Sequence, residues 1–422
     1  MGDHAAAALA YLDARAPDIV EQLSRLVRLP SVSGTDEENE ILQVLSEEVA
    51  ALGLPVDHWQ IPLADTLAAP DFPGVEVERS QAWGLVATLP GTGGGPSLML
   101  NAHVDVVPPG DLSAWRDEDP FSGRIDSHAV YGRGTCDMKG GLVAALWAVR
   151  ALVAARVPLR GDLLLACVQG EEDGGLGTYA TIARGWRADA CVIPEPTGLD
   201  LVPANGGSLT FRLRVHGLAA HASRRSAGVS AVERFWPVFA ALRALERERN
   251  RDPDPLMARW DVAYPIEIGT VRSGDWSSSV PDLLVAEGRY GVALGEDVAA
   301  ARAVFEAAMA ACSAADPWLR DHPVQVQWWG GQFAPGATPA DAAIIDTLAR
   351  AHARLAGTPQ QRWGAPYGSD LRLLTGLAGI PTVHYGPGDV ALAHGPLEQV
   401  PIAQVLTTAR VLTLTAIEHC GL

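Results

Sequence analysis

Two histidines and five carboxylates fall just after short apolar runs, a pattern that can do chemistry. His103 and Asp105 stand two residues apart in LMLNAHVDVV, a spacing that on one strand turns both side chains to the same face. Asp137 lies in GRGTCDMKGG, a glycine-rich turn that opens a long apolar stretch. Glu171 and Glu172 close LLLACVQGEE, Glu195 closes ACVIPEP, and His394 sits in the loop DVALAHGP. Converging imidazoles and carboxylates suit a divalent ion, zinc above all. Two ions sharing one carboxylate sit roughly 3.5–4 Å apart and clamp one water, whose pKa zinc can bring to about 7. A carboxylate left off the metals is needed to take and return the proton, and the neighbours Glu171 and Glu172 offer that division. Taken singly, each group has a plainer reading. Asp137 could cap a helix, GEED could be an exposed turn, and a loop histidine such as His394 usually faces water.

These groups need a scaffold that brings strand ends together. Residues 7–29 carry apolar positions at helical spacing and stop at Pro30, and 36–52 predict a second helix. VEVERSQAWGLVATLPG and SLMLNAHVDVV read as strands joined by the turn GTGGGP. GGLVAALWAVRALVAA reads as a buried helix, followed by the strands DLLLACV and ACVIP. Strand–helix–strand alternation with continuous apolar strands predicts an α/β fold, a mostly parallel or mixed sheet with helices on both faces. In such a sheet ligands bind beyond the carboxyl ends of the strands, where all these groups would meet.

The texture changes near residue 206. SLTFRLRVHG alternates apolar and polar residues, followed by a helix near 228–248, strands near 262–271 and 282–293, a helix near 296–315 and the strand VQVQWW. The order βαββαβ is a complete α+β unit inserted into the larger fold. The expected division is therefore 1–205 with 333–422, and an insert at 206–332.

The chain has 422 residues, 48 % of them hydrophobic, enough for two cores. Its 32 basic and 50 acidic residues leave a net charge of −18, which argues against a nucleic-acid or anionic-membrane partner. Five cysteines without tight spacing do not suggest a disulfide scaffold. No basic segment followed by a long apolar one opens the chain, and no apolar run reaches the length of a membrane span. These bounds predict a cytoplasmic location. Lys139 is the only lysine and reads as an anchor for its loop; Cys136, beside Asp137, receives no chemical role.

The motifs NAHVDVVPPGD, YGRGTCDMKGG, QGEEDGG, PEPTG and LAHGPLE occur in this order across nearly the whole chain. With them the chain resembles the co-catalytic zinc amidohydrolases that include acetylornithine deacetylase, succinyl-diaminopimelate desuccinylase, aminoacylase and glutamate-releasing carboxypeptidases. The resemblance implies two Zn2+ ions, with Co2+ a feasible substitute. Asp137 would bridge them, His103 and Glu195 would complete one ion, and Glu172 and His394 the other. Glu171 matches the general base, and Asp105 the carboxylate that orients His103. A cis peptide is implied at Asp137–Met138. The insert matches a lid that is often a dimerisation domain, which implies a homodimer. His221, in HGLAAHASR, matches a lid histidine that meets the scissile carbonyl, and Arg372, in GSDLRLL, an arginine that binds a substrate carboxylate. From the residues alone, His221 reads as an ordinary loop histidine and Arg372 as a partner of Asp370 or a helix-surface group.

The lid departs from the pattern in two places. Ser278 in SSSVPD stands where these enzymes commonly carry asparagine, and Arg289 in EGRYG falls two positions early for the lid arginine. Both are candidate substrate contacts. The expected activity is hydrolysis of the amide of an N-acyl amino acid or a related small compound. The alternative is a dipeptidase or carboxypeptidase with the same centre. A silent binding relative would lack a ligand or Glu171, yet every position is filled.

Overall fold

Strands buried along their whole length determine how the larger unit is built. A computed structural model describes residues 2–357 and 359–422. It divides into one unit of Met1–Ala204, Ala337–Trp363 and Ser369–Leu422 and a second of Asn205–Gly336 with Gly364–Gly368.

In the first unit, among the described residues, a nine-stranded mixed sheet runs in the order Val56–Gln60, Trp83–Leu89, Leu163–Val168, Leu98–His103, Ala190–Ile193, Thr382–His384, Leu201–Asn205, Gly336–Ala337, with Arg362–Ala365 also paired to Leu201–Asn205. The four strands from Leu163–Val168 to Thr382–His384 are parallel, and Val56–Gln60, Trp83–Leu89 and Leu201–Asn205 join by antiparallel pairing. Register decides what they deliver. His103 lies opposite Val168, and His384 opposite Ile193, so these strands end at one level. The chain then leaves toward Asp105, Glu171 and Glu195 on one edge. Helix Gly140–Ala154 is buried along nearly all its length and packs on helices Asp3–Ala14, Ala16–Val27 and Ile402–Cys420. Gly141 lets it in: a Cβ there would meet the Pro194 carbonyl oxygen at 1.9 Å.

Three elements differ from expectation. The helix expected over 7–29 is two, Asp3–Ala14 and Ala16–Val27, because Pro17 in the first turn of the second has no N–H to continue the first. VEVERSQ forms no strand; the amides of Glu76 and Val77 donate to the Asp173 carboxylate instead of a ladder. The strand through LMLNAH stops at His103, so Asp105 lies beyond it rather than on it.

The second unit follows the βαββαβ order: Gly207–His216, Ala231–Arg249, Ile266–Ser273, Leu283–Val292, Val298–Ala315, Gln325–Phe333. Its sheet is antiparallel throughout, with Ile266–Ser273 at one edge. Alternation along Gly207–His216 sends Leu209, Phe211, Leu213 and Val215 inward against Phe235, Val238, Phe305 and Met309. The unit reaches Gly336 rather than 332 and takes in Gly364–Gly368, placed by sequence in the larger unit. Trp260 Nε1 donates to the Gly364 carbonyl at 2.8 Å, and the Gly206 amide to that of Ala365 at 2.8 Å, which ties this segment there.

Helix Val298–Ala315 is long and apolar enough, by length and composition, to cross a membrane, contrary to the sequence reading that no run qualifies. It carries Arg302 and Glu306, which bond Gln332 and Trp328, while Ala301, Phe305 and Met309 are buried in this unit's core.

Candidate metal centre

Asp137 stands between two imidazoles. His103 Nε2 lies 3.2 Å from its Oδ1, and His394 Nε2 3.4 Å from its Oδ2. His394 Nε2 is also 3.2 Å from Glu172 Oε2, and His103 Nε2 is 3.8 Å from Glu195 Oε1. The donors therefore fall into two sets, His103 with Glu195 and His394 with Glu172, that share Asp137. Ligand atoms of His103, Asp137 and Glu172 lie within 4.8 Å of one another.

The backbone brings them together in different ways. His103 ends one parallel strand, and Glu171, Glu172 and Glu195 lie just beyond the ends of two others. Asp137 sits in the turn Thr135–Lys139 after Gly134, whose φ of 81° suits glycine, and the Asp137–Met138 peptide is cis. Glu398 Oε1 accepts the amides of Cys136 at 3.2 Å and Asp137 at 3.3 Å. Lys139 is buried and donates from Nζ to the carbonyls of Leu26 and Leu29, anchoring the turn to a neighbouring helix end. Burial pushes the Cys136 thiol well up, so it is kept protonated. His394 holds a left-handed φ of 60°, an uncommon conformation for a residue with a Cβ.

The electrostatics ask for cations. Burial, reinforced by neighbouring carboxylates, raises the proton affinity of Glu171, Glu172 and Glu195. Burial opposes the His103 imidazolium, but Asp137, Glu195, Asp105 and Glu171 outweigh it and raise its pKa well above the ordinary value. Glu172 above all raises that of His394. Carboxylates gathered away from water repel one another, and two divalent ions would offset that charge. The donor set, two imidazoles and three ligating carboxylates, fits zinc.

Asp105 is placed differently from its expected role. The His103 Nδ1 contact is with the Asp105 backbone oxygen at 2.9 Å, while the carboxylate is 3.7 Å away. That carboxylate accepts the amides of Glu171 and Glu172, both at 3.2 Å. One residue thus aligns the imidazole through its main chain and the paired glutamates through its side chain.

Arg372 is buried, not on a helix surface, and donates from Nη2 to the Gly174 carbonyl at 2.9 Å. Burial lowers its pKa to about 10 against the opposing pull of Asp370 and Glu171. Asp370 itself is buried, and that burial raises its carboxyl to about 6.

His221, Ser278 and Arg289 belong to the second unit. His221 pairs with Ser279 across a two-stranded ladder, and the Ala222 amide donates to the Ser278 carbonyl at 2.8 Å. The Ser223 amide donates to His221 Nδ1 at 3.2 Å, which leaves the proton on Nε2 and makes that nitrogen a donor. Arg289 lies on Leu283–Val292, opposite Glu267 and Thr210.

Sequence reasoning missed the groups that hold the loops: Glu38, Arg79, Asp173, Arg133 and Glu398. Glu398 and Asp173 stand inside the motifs LAHGPLE and QGEEDGG, a signal that could have found them. Glu38, one acid among several in TDEENE, carries no such signal.

A mixed α/β sheet that gathers imidazoles and carboxylates beyond its parallel strand ends offers a donor set suited to divalent ions, and the family match makes the chain a hydrolase of the metallopeptidase family. The family model described as Peptidase family M20/M25/M40 matches residues 99–418, and the chain belongs to that family. It is 27 % identical to the N-formyl-4-amino-5-aminomethyl-2-methylpyrimidine deformylase of Halalkalibacterium halodurans, over 98 % of this chain and 97 % of that protein. It is 37 % identical to the succinyl-diaminopimelate desuccinylase of Methylobacterium nodulans, over 46 % of this chain and 48 % of that protein. Among solved structures it is similar in fold to the di-peptidase Dug1p of Saccharomyces cerevisiae, with a TM-score of 0.79 and 14 % identity, over 99 % of both chains.

Proposed function

We propose that this M20 hydrolase is a di-zinc deacylase that cleaves the amide of a small N-acyl amine or N-acyl amino acid. The observation that carries the reading is the Asp137 carboxylate shared between His103 and His394, with Glu195 and Glu172 on its two sides. Held by these five side chains, two zinc ions would polarise the scissile carbonyl and bring the pKa of water to about 7. Glu171, outside both donor sets, takes the proton of the attacking water and delivers it to the departing nitrogen. Asp105 keeps Glu171 and Glu172 in register through their amides. His221 donates from Nε2 to the carbonyl oxygen as charge develops there. The names of the two relatives, a deformylase and a desuccinylase, support a deacylase with a short acyl group. A homodimer through the inserted unit forms part of the proposal, supported by its exposed edge strand Ile266–Ser273, and sedimentation tests it.

The test is amine release by zinc- or cobalt-loaded protein from N-formyl, N-acetyl and N-succinyl amino acids, an N-formyl aminomethylpyrimidine, and dipeptides, with Glu171→Ala alongside. Turnover of an N-acyl compound that the substitution abolishes is the expected result. Turnover of dipeptides alone would replace the deacylase reading with a peptidase one. Two bound metals without turnover of any compound would overturn the substrate class.

A further inference from the structure

The glutamate loop is clamped from outside the centre by one buried arginine. The Arg79 side chain is only 3 % exposed, and its guanidinium makes two forks at once. Nε and Nη2 donate to Glu38 at 2.9 and 3.1 Å, and Nη1 and Nη2 donate to Asp173, both at 2.9 Å. Each carboxylate has further work. Glu38 accepts the amides of Gly34 at 2.8 Å and Gly170 at 3.2 Å. Asp173 accepts those of Glu76 and Val77. The backbones also meet closely: a Cβ on Gly174 would lie 1.9 Å from the Gly74 carbonyl oxygen. Residues 170–174, which carry Glu171 and Glu172, are therefore held at both ends, by Glu38 at Gly170 and by Asp173 at the far side. Arg79 is the group common to both.

We propose that Arg79 is a positioning residue for the hydrolytic reaction: by joining Glu38 to Asp173 it sets where the Glu171 and Glu172 carboxylates stand. The inference rests on the role given above to Glu171. A planar fork that satisfies two buried carboxylates cannot be matched by an ammonium, which contacts as a point charge. Without Arg79, two buried carboxylates would face each other unpaired.

The experiment compares Arg79→Met, Arg79→Lys and wild type in two measurements. The first is kcat and KM on whichever amide the wild type turns over. The second is amide hydrogen exchange of the metal-free protein, read on the peptide covering 169–176 and on a control peptide covering 98–103. We expect kcat to fall about 10- to 100-fold in Arg79→Met, the range for groups that orient ligands and catalytic side chains, with KM little changed. Arg79→Lys falls between Arg79→Met and wild type. Exchange in 169–176 should quicken about tenfold or more while 98–103 keeps its protection. If Arg79→Met does not fold, Arg79→Lys carries both readouts. Unchanged kcat or unchanged exchange in 169–176 overturns the proposal, as does a loss of protection shared equally by the control peptide. If the wild type turns over no amide, the substrate reading fails while the exchange comparison still decides the role of Arg79.

Discussion

Arg133 donates from Nη1 to Glu398 Oε2 at 2.5 Å across 265 residues of sequence, and both side chains are buried. The other Glu398 oxygen holds the amides of Cys136 and Asp137. A single carboxylate thus ties the C-terminal segment that follows His394 to the turn that carries Asp137. Glu398→Ala leaves the guanidinium buried and unpaired, and urea unfolding should show a loss of about 3–5 kcal/mol. Pairing it with Arg133→Met should recover only the part of that loss due to the unpaired guanidinium, since the Cys136 and Asp137 amides still lack their acceptor. Turnover should stay low in the double variant, because nothing then holds the two amides.

Asp137 offers one carboxylate oxygen to each imidazole, at 3.2 Å from His103 and 3.4 Å from His394. Asp137→Asn should therefore lower the bound metal from two ions per chain, read by elemental analysis of dialysed protein. Chelation of the wild type should abolish turnover, and zinc should restore it. Retention of two tightly bound ions by Asp137→Asn would contradict the bridging assignment.

His221 lies at the surface of its unit, with Nδ1 engaged by Ser223. Its replacement by alanine should leave the melting temperature unchanged. We expect kcat to fall about 10²–10³-fold, as when one donor to a developing oxyanion is removed. A steady-state assay that finds kcat intact would remove His221 from the reaction.

His384 reports on acid stability. It is wholly buried on Thr382–His384 with Nε2 2.8 Å from Ser369 Oγ, and burial lowers its pKa from 6.5 to about 3. The unfolded chain takes up this proton from about pH 6.5 downward, while the folded chain refuses it until about pH 3. Its contribution is therefore complete above pH 6.5 and is lost as pH falls toward 3, by at most about 1.4 kcal/mol per pH unit. His384→Asn should flatten the dependence of the melting temperature on pH between 6.5 and 4.5. An identical slope in both proteins would show that other groups carry it.

Much of the centre was legible because its chemistry is written in residue types next to recognisable strand ends. HVD, CDMKGG, GEEDGG and PEP each follow or precede an apolar run that can only be buried, so period and composition placed His103, Asp137, Glu171, Glu172 and Glu195 near one edge. The βαββαβ order of the insert was legible for the same reason. Alternation and helical spacing are local properties, and so is the turn chemistry between the elements.

Tertiary structure decided what local pattern cannot encode. Whether Asp105 meets His103 by its carboxylate or its carbonyl depends on tertiary contacts: the strand ends at His103, and the Asp105 side chain is taken up by the amides of Glu171 and Glu172, 66 and 67 residues on. Arg372 read from the residues alone as a partner of Asp370 or a helix-surface group, and packing buries it with Nη2 donating to the Gly174 carbonyl. VEVER looked like a strand until long-range bonds claimed its amides, and Arg79 within it became the link between Glu38 and Asp173. Residue types and periodicity thus determined which groups could react and which segments would be buried. Only the folded chain, by bringing distant carboxylates to the few N–H donors that satisfy them, decided how those groups are held.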